Sequence, residues 1–262
     1  GGRVQFLDQL VLEGDSSVVS RSVDGLGVEF AAGIEGYQSL AERAEESGVI
    51  VRGGVGLNSP LAELRIEQAA STSLQDTIRA DAILVLGGGS IDANGELQAS
   101  GDAGVRLVGD EIDLDASFEV PSGSVTVENT GTLRLCENLG IQDVASFQQS
   151  GSGEVVLNTD LLAPIGTGAL SGPVRLPADR TITAASIELS GSVDSLGSAR
   201  ALSLVSQGDV SITGDLGLGN SLSTLQTDAG GTTLLGASVV AGGPVSFGDR
   251  VVLVGDSSVS SG

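Results

Sequence analysis

The chain has no histidine, no methionine, no tryptophan and a single cysteine, and each of its 12 basic residues is arginine. Without histidine no imidazole is present to serve as general base or to activate Cys136, which excludes Cys/His nucleophilic chemistry. One cysteine cannot close a disulfide within the chain, and it says little about redox compartment. Aromatic residues make up only 2% of the chain, five Phe and Tyr37, so platforms for stacking a sugar ring are nearly absent. No apolar run reaches 18 residues, and no helical membrane span is expected in this stretch. The missing lysine matters too, because sheets commonly block their edges with it; a repeat covered at each end by its neighbours needs no such block.

What is present is Val, Leu, Ile and Ala interleaved with Ser, Thr and 40 Gly, a mixture that favours short strands between tight turns. The hydrophobic share of 40% is ample for a core, but one built from small side chains must be narrow. The formal net charge of −22 makes nucleic acid and anionic membranes poor partners.

The chain also repeats itself. Gly1 to Ser20 reads GGRVQFLDQLVLEGDSSVVS and Gly242 to Ser261 reads GGPVSFGDRVVLVGDSSVSS, with 13 of 20 positions identical at a constant offset of 241. We therefore expect one unit of a tandem array over 1–241 and the start of the next over 242–262, in one continuous solenoid cut from a larger protein. A second repeat lies inside the first: Val49-Ile50-Val51-Arg52-Gly53-Gly54-Val55-Gly56-Leu57 matches Val210-Ser211-Ile212-Thr213-Gly214-Asp215-Leu216-Gly217-Leu218, offset 161. Leu61, Leu64 and Leu74 continue the match at Leu222, Leu225 and Leu235, and Val28-Glu29-Phe30 answers Ile187-Glu188-Leu189 with a two-residue shift. A shorter motif, Leu-x-x-Asp, recurs at Leu12/Asp15, Leu107/Asp110, Leu157/Asp160, Leu176/Asp179 and Leu253/Asp256. Each reads as a strand turning a corner at Asp, whose carboxylate bonds the backbone two residues on.

Alternation is the strand signal. Val174-Arg175-Leu176, Thr181-Ile182-Thr183, Ile187-Glu188-Leu189, Leu202-Ser203-Leu204 and Val210-Ser211-Ile212 each put apolar residues on one face. The pieces are three to six residues long, separated by clusters such as Gly87-Gly88-Gly89, Ser150-Gly151-Ser152-Gly153 and Gly230-Gly231. Tyr37 to Ser47 has helical spacing and composition, but Leu40 falls near Leu202 of a strand, and the repeat decides for strand. Many short strands of one kind, with no helices between them, predict an all-β chain folded as a parallel β-solenoid. At roughly 20–25 residues per coil, the unit over 1–241 makes about 10–12 coils and advances about 50–58 Å.

One further pattern bears on the class of protein. Phe147-Gln148-Gln149-Ser150-Gly151-Ser152-Gly153, Val155-Val156-Leu157-Asn158-Thr159-Asp160, Gly172-Pro173-Val174-Arg175-Leu176 and Leu225-Gln226-Thr227-Asp228-Ala229-Gly230-Gly231-Thr232-Thr233 resemble the repeats of filamentous-haemagglutinin-like adhesins and related giant bacterial exoproteins. The resemblance covers most of residues 25–75 and 140–262. It implies a right-handed parallel β-helix, export, and display as a long rod at the bacterial cell surface or beyond it. Those repeats define no adhesive site in the family, so none is carried over.

Little catalytic chemistry can be named. Carboxylate pairs can hydrolyse glycosidic bonds, but aromatic platforms are missing and carboxylates scattered along a repeat usually form a solvated face. No enzyme is expected. Calcium is the one metal with nameable ligands, Asp110, Asp113 and Asp115 in the densest acidic cluster, with Asp113 and Asp115 about 7 Å apart on one strand face. The nonapeptide array of calcium-binding β-rolls is absent, and the cluster also suits a face that keeps a rod soluble. No cofactor is assigned. Cys136 reads as a small residue near a corner. The expected function is a structural rod segment, its partners the neighbouring repeats end to end. Alternatives are an adhesin module binding glycans or neighbouring cells through exposed strand faces, and a filament or sheath in which other copies pack laterally.

Overall fold

A computed structural model describes residues 2–23 and 25–262. The chain is an all-β parallel solenoid of about 12 turns. Among the described residues every regular element is a strand and every strand pairing is parallel.

The turns can be counted along one ladder. Val4 pairs with Val28, then in succession come Val49, Thr72, Ile91, Ile112, Leu133, Val155, Val174 and Val193. Bridges through Leu216 to Val239 and a final pairing with Val259 complete twelve steps. The coils are unequal: the step from Val155 to Val174 is among the shortest, and that from Val4 to Val28 is the longest. We call this ladder the first face. A second face begins Leu10, Ile34, Val55, Ile78, Leu97, Phe118, Ile141 and, from Leu161, continues through Ile182, Leu204 and Thr227 to Phe247. A third runs without interruption from Val18 through Glu42, Ile66, Val85, Leu107, Val127, Gln149, Leu170, Leu189, Ile212 and Leu235 to Leu253.

Alternation puts every second residue of these strands inside, where the three ladders meet in one continuous apolar column from Leu12 to Ala241. Val174, Leu176 and Ile182 all point inward and are buried. Each buried Val, Leu or Ile contributes about 1.5–3 kcal/mol against its exposed state, and every coil sets several on the coil below. Phe30, Phe118 and Phe147 are the widest fully buried side chains, while Phe6 and Phe247 pack against the column at its two ends. Residues 39–43, in the stretch with helical spacing, form a strand between the coils before and after it, Leu40 inward.

Two local expectations need correction. Several strands are longer than three to six residues: Leu61–Leu74, Leu97–Gly109 and Ser117–Asn129 stay extended and paired around a corner, the register shift there absorbing the bend. Gly87-Gly88-Gly89 is not simply a separator. Gly88 already belongs to a strand paired with Ala69, and a Cβ on Gly89 would lie 2.1 Å from the Ala70 carbonyl oxygen. Gly87 and Gly89 allow close approach between coils, and Gly88 supplies a positive φ of 75°.

Candidate functional site

The side chains with the most to do in this fold are those that tie one coil to the next. The corner aspartates of the Leu-x-x-Asp motif reach along the axis, not along the chain. Asp15 accepts the backbone N–H of Ser39, Asp160 that of Thr181 and Asp179 that of Ala201, each at 2.9 Å and one coil further on. Asp110 accepts the Thr130 hydroxyl at 2.9 Å. The expected bond two residues on gives way because stacking brings the next coil's free N–H closer than the local backbone turns.

A stronger tie recurs in both copies of the internal repeat. Glu35 is buried and accepts the N–H groups of Asn58 and Ser59 at 3.1 and 2.9 Å, as well as the Asn58 side-chain amide. Asp194, which falls at the shifted register set by Glu29 and Glu188, is equally buried and accepts the N–H groups of Gly219 and Asn220 at 2.8 and 2.9 Å. Each clamped loop begins at a glycine with positive φ, Gly56 at 64° and Gly217 at 70°. A Cβ at either would collide with a carbonyl of the next coil, Arg79 at 2.3 Å or Val240 at 2.2 Å. Extending the sequence match onward from Glu29 and Glu188 would have found this pair.

The calcium candidates are not brought together around a common point. Asp113 is ion-paired with Arg134 at 2.9 Å, Asp115 accepts two bonds from Asn138, and Asp110 faces Thr130. Among the described residues no group of three or more His, Cys, Asp or Glu is placed to hold a metal ion. On the outward side of the first face Asp113 and Arg134 pair, as do Arg175 and Asp194, so part of the acidic charge is matched coil by coil. Cys136 follows the strand Leu133–Leu135 at a corner, and burial together with the nearby Asp115 and Asp113 holds its thiol above the ordinary range. That keeps it protonated and unreactive near neutral pH.

A shallow cleft of about 150 Å³ opens on the second face, lined by Arg79, Gln98, Ser100 and Glu119 between Pro60 and Pro121. At the neighbouring corner the exposed Tyr37 hydroxyl donates to Asp81, which also accepts the Ser100 hydroxyl.

The ends differ from the middle in having strands paired on one side only. At the first end these are Val4–Phe6, Leu10–Val11 and Ser16–Val19, and at the other Val245–Phe247, Arg250–Leu253 and Ser258–Ser261. They are the two stretches that match in sequence, and they adopt the same succession of three strands with the same part-buried pattern at Val4–Phe6 and Val245–Phe247. Phe6 stacks flat on Phe30 of the coil above it, ring centroids 4.9 Å apart and planes 3° from parallel.

Comparison with protein-family models, characterised proteins and solved structures finds no match.

Proposed function

We propose that this chain is a non-catalytic rod segment of a longer tandem β-solenoid, one unit over 1–241 and the opening coil of the next over 242–262. The observation that carries this reading is the pair of matching end coils, each offering unpaired strand edges and a part-buried apolar cross-section. Its partners are then neighbouring units of the same chain, joined end to end, and its work is to hold distal elements at a distance through stacked coils. The resemblance to giant bacterial exoprotein repeats supports a place outside the cell or on its surface. Cryo-electron microscopy of the native protein tests the reading. The expected result is an axial spacing of about 4.8 Å within a longer repeat of about 54 Å. A compact particle without the short spacing would sink it.

A second reading, a module that binds glycans through an exposed face, is favoured by the cleft at Ser100, which shares Asp81 as hydrogen-bond partner with the exposed Tyr37. Binding of the segment to a glycan array, lost on Tyr37→Ala, is the expected sign. Equal binding by that variant would remove the cleft from consideration.

A further inference from the structure

The ladders assign each repeated residue to a face, and neither repeat returns to the face it started from. Val4–Phe6 lies on the first face, paired with Val28–Phe30, whereas its counterpart Val245–Phe247 lies on the second, paired with Leu225–Thr227. Leu10 and Val11 lie on the second face and their counterparts Val251 and Val252 on the third. Val18 lies on the third and Val259 on the first. One repeat therefore spans the eleven first-face steps from Val4 to Val239 plus one face, or 11⅓ coils. The shorter repeat behaves alike: Val49–Val51 is on the first face and Val210–Ile212 on the third, Val55 on the second and Leu216 on the first.

We propose that the open edge of residues 242–262 is the docking surface for the coil of a following unit that corresponds to residues 22–43, and that successive units therefore follow a threefold screw, each turned by one face. The proposal rests on the tandem reading above and adds the geometry of the join. The occupant is known from this chain itself, because residues 25–43 already sit on residues 2–20. Phe6 stacks on Phe30, Val4 pairs with Val28, Leu10 with Ile34, and Asp15 caps the Ser39 N–H. The lower partners of all four contacts are kept in the last coil as Phe247, Val245, Val251 and Asp256. What changes is the outer grip on Glu29, which receives Arg3, Gln5 and Arg52; Pro244 and Ser246 replace the first two, and Arg52 stays within its own unit.

The screw has a mechanical consequence. The chain passes from the third face to the first in a much shorter step, Leu189 to Val193, than from the first to the second, Val193 to Leu204, so a unit is bulkier on some sides than on others. Turning each unit by one face spreads that asymmetry around the axis, and three units, about 34 coils or about 160 Å, restore the starting side. A feature such as the Tyr37–Asp81 corner is then displayed on all three sides of the rod.

The test is a chain of two full copies, residues 1–241 followed directly by 1–262, solved by cryo-electron microscopy to strand resolution. We expect one continuous solenoid in which the second copy's Phe30 covers its own Phe6, and that Phe6 sits where Phe247 does here, on the second face of the first copy. A continuous rod whose second copy starts again on the first face, with junction residues looped out, overturns the screw and leaves the rod reading intact. Two solenoids joined by unpaired strands overturn both. As an independent readout, Asp at that junction phenylalanine (Phe6→Asp in the second copy alone) should speed amide exchange of the second copy's residues 28–30 at least tenfold. Unchanged exchange there overturns the docking surface.

Discussion

Residues 28–74 and 187–235 follow matching backbone paths, two residues apart in length. Val49 and Val210, Leu64 and Leu225, and Leu74 and Leu235 occupy matching inward places, Gly56 and Gly217 make the same turn, and Glu35 and Asp194 clamp the same loop. The interior chemistry nevertheless differs, at Ile66 against the buried Thr227 and most sharply one coil below. Glu42 and Leu204 hold the same place in their strands, both fully enclosed, but the Glu42 carboxyl has no hydrogen-bond partner and burial pushes its pKa to about 8. Gln149, in the same column as Glu42, shows the other way of burying a polar group. Its amide gives to Asn129 and the Ser150 carbonyl and accepts the N–H groups of Ser171 and Gly172. The path of the chain is thus held by the turns and their clamps, which both copies keep, and interior rungs can change without redirecting it.

Exchanging the side chains of the most unlike rung should do the most damage. Leu204→Glu should cost about 3–5 kcal/mol near neutral pH, since an apolar column offers a buried charge no partner, and thermal melting with amide exchange at residues 201–206 would read the loss. A negligible change would mean that the interior accepts carboxyls generally. The reverse change, Glu42→Leu, should stabilise the chain and flatten its pH profile. Because the folded pKa of about 8 lies above the ordinary 4.5, the native state holds the proton through that window. Stability is then complete below about pH 4.5 and falls by up to about 1.4 kcal/mol per unit as pH rises to about 8. Urea denaturation at pH 5 and pH 8 checks this, and equal stability of the parent chain at both would mean that Glu42 finds a partner.

The shared parts should respond alike. Gly56→Ala and Gly217→Ala should each lose about 1–3 kcal/mol from the forced positive φ and the carbonyl clash; loss in one copy only would show that the turn is structural in just that copy. Glu35→Ala and Asp194→Ala should each cost about 1–2 kcal/mol, felt chiefly as faster amide exchange at 58–59 and 219–220. Unaltered exchange would deny the clamp. The smallest effect belongs to the surface pair: Arg134→Ala should change stability by less than about 1 kcal/mol, read by urea denaturation.

Much of this molecule was legible before folding. Alternation at Val174-Arg175-Leu176 and its kin marked the inward residues, and repeat consistency placed Leu40 in a strand against its helical surroundings. The corner aspartates were recognisable as a motif, yet their partners were not, because Asp15 and Ser39 are neighbours only when coils stack. Glu42 was invisible for the same reason: a glutamate between Ala41 and Arg43 reads as solvated until Val18 and Ile66 close over it from the coils on either side.

The strand period, the approximate coil length and the presence of two repeats follow from the order of residues along the chain. Which face a repeat lands on was decided only in three dimensions. Coils range from the short step between Val155 and Val174 to the long one between Val4 and Val28. The face reached at the end of a unit depends on the sum of all such steps, which corners that bend, bulge or stay extended set coil by coil through the packing of each on the last.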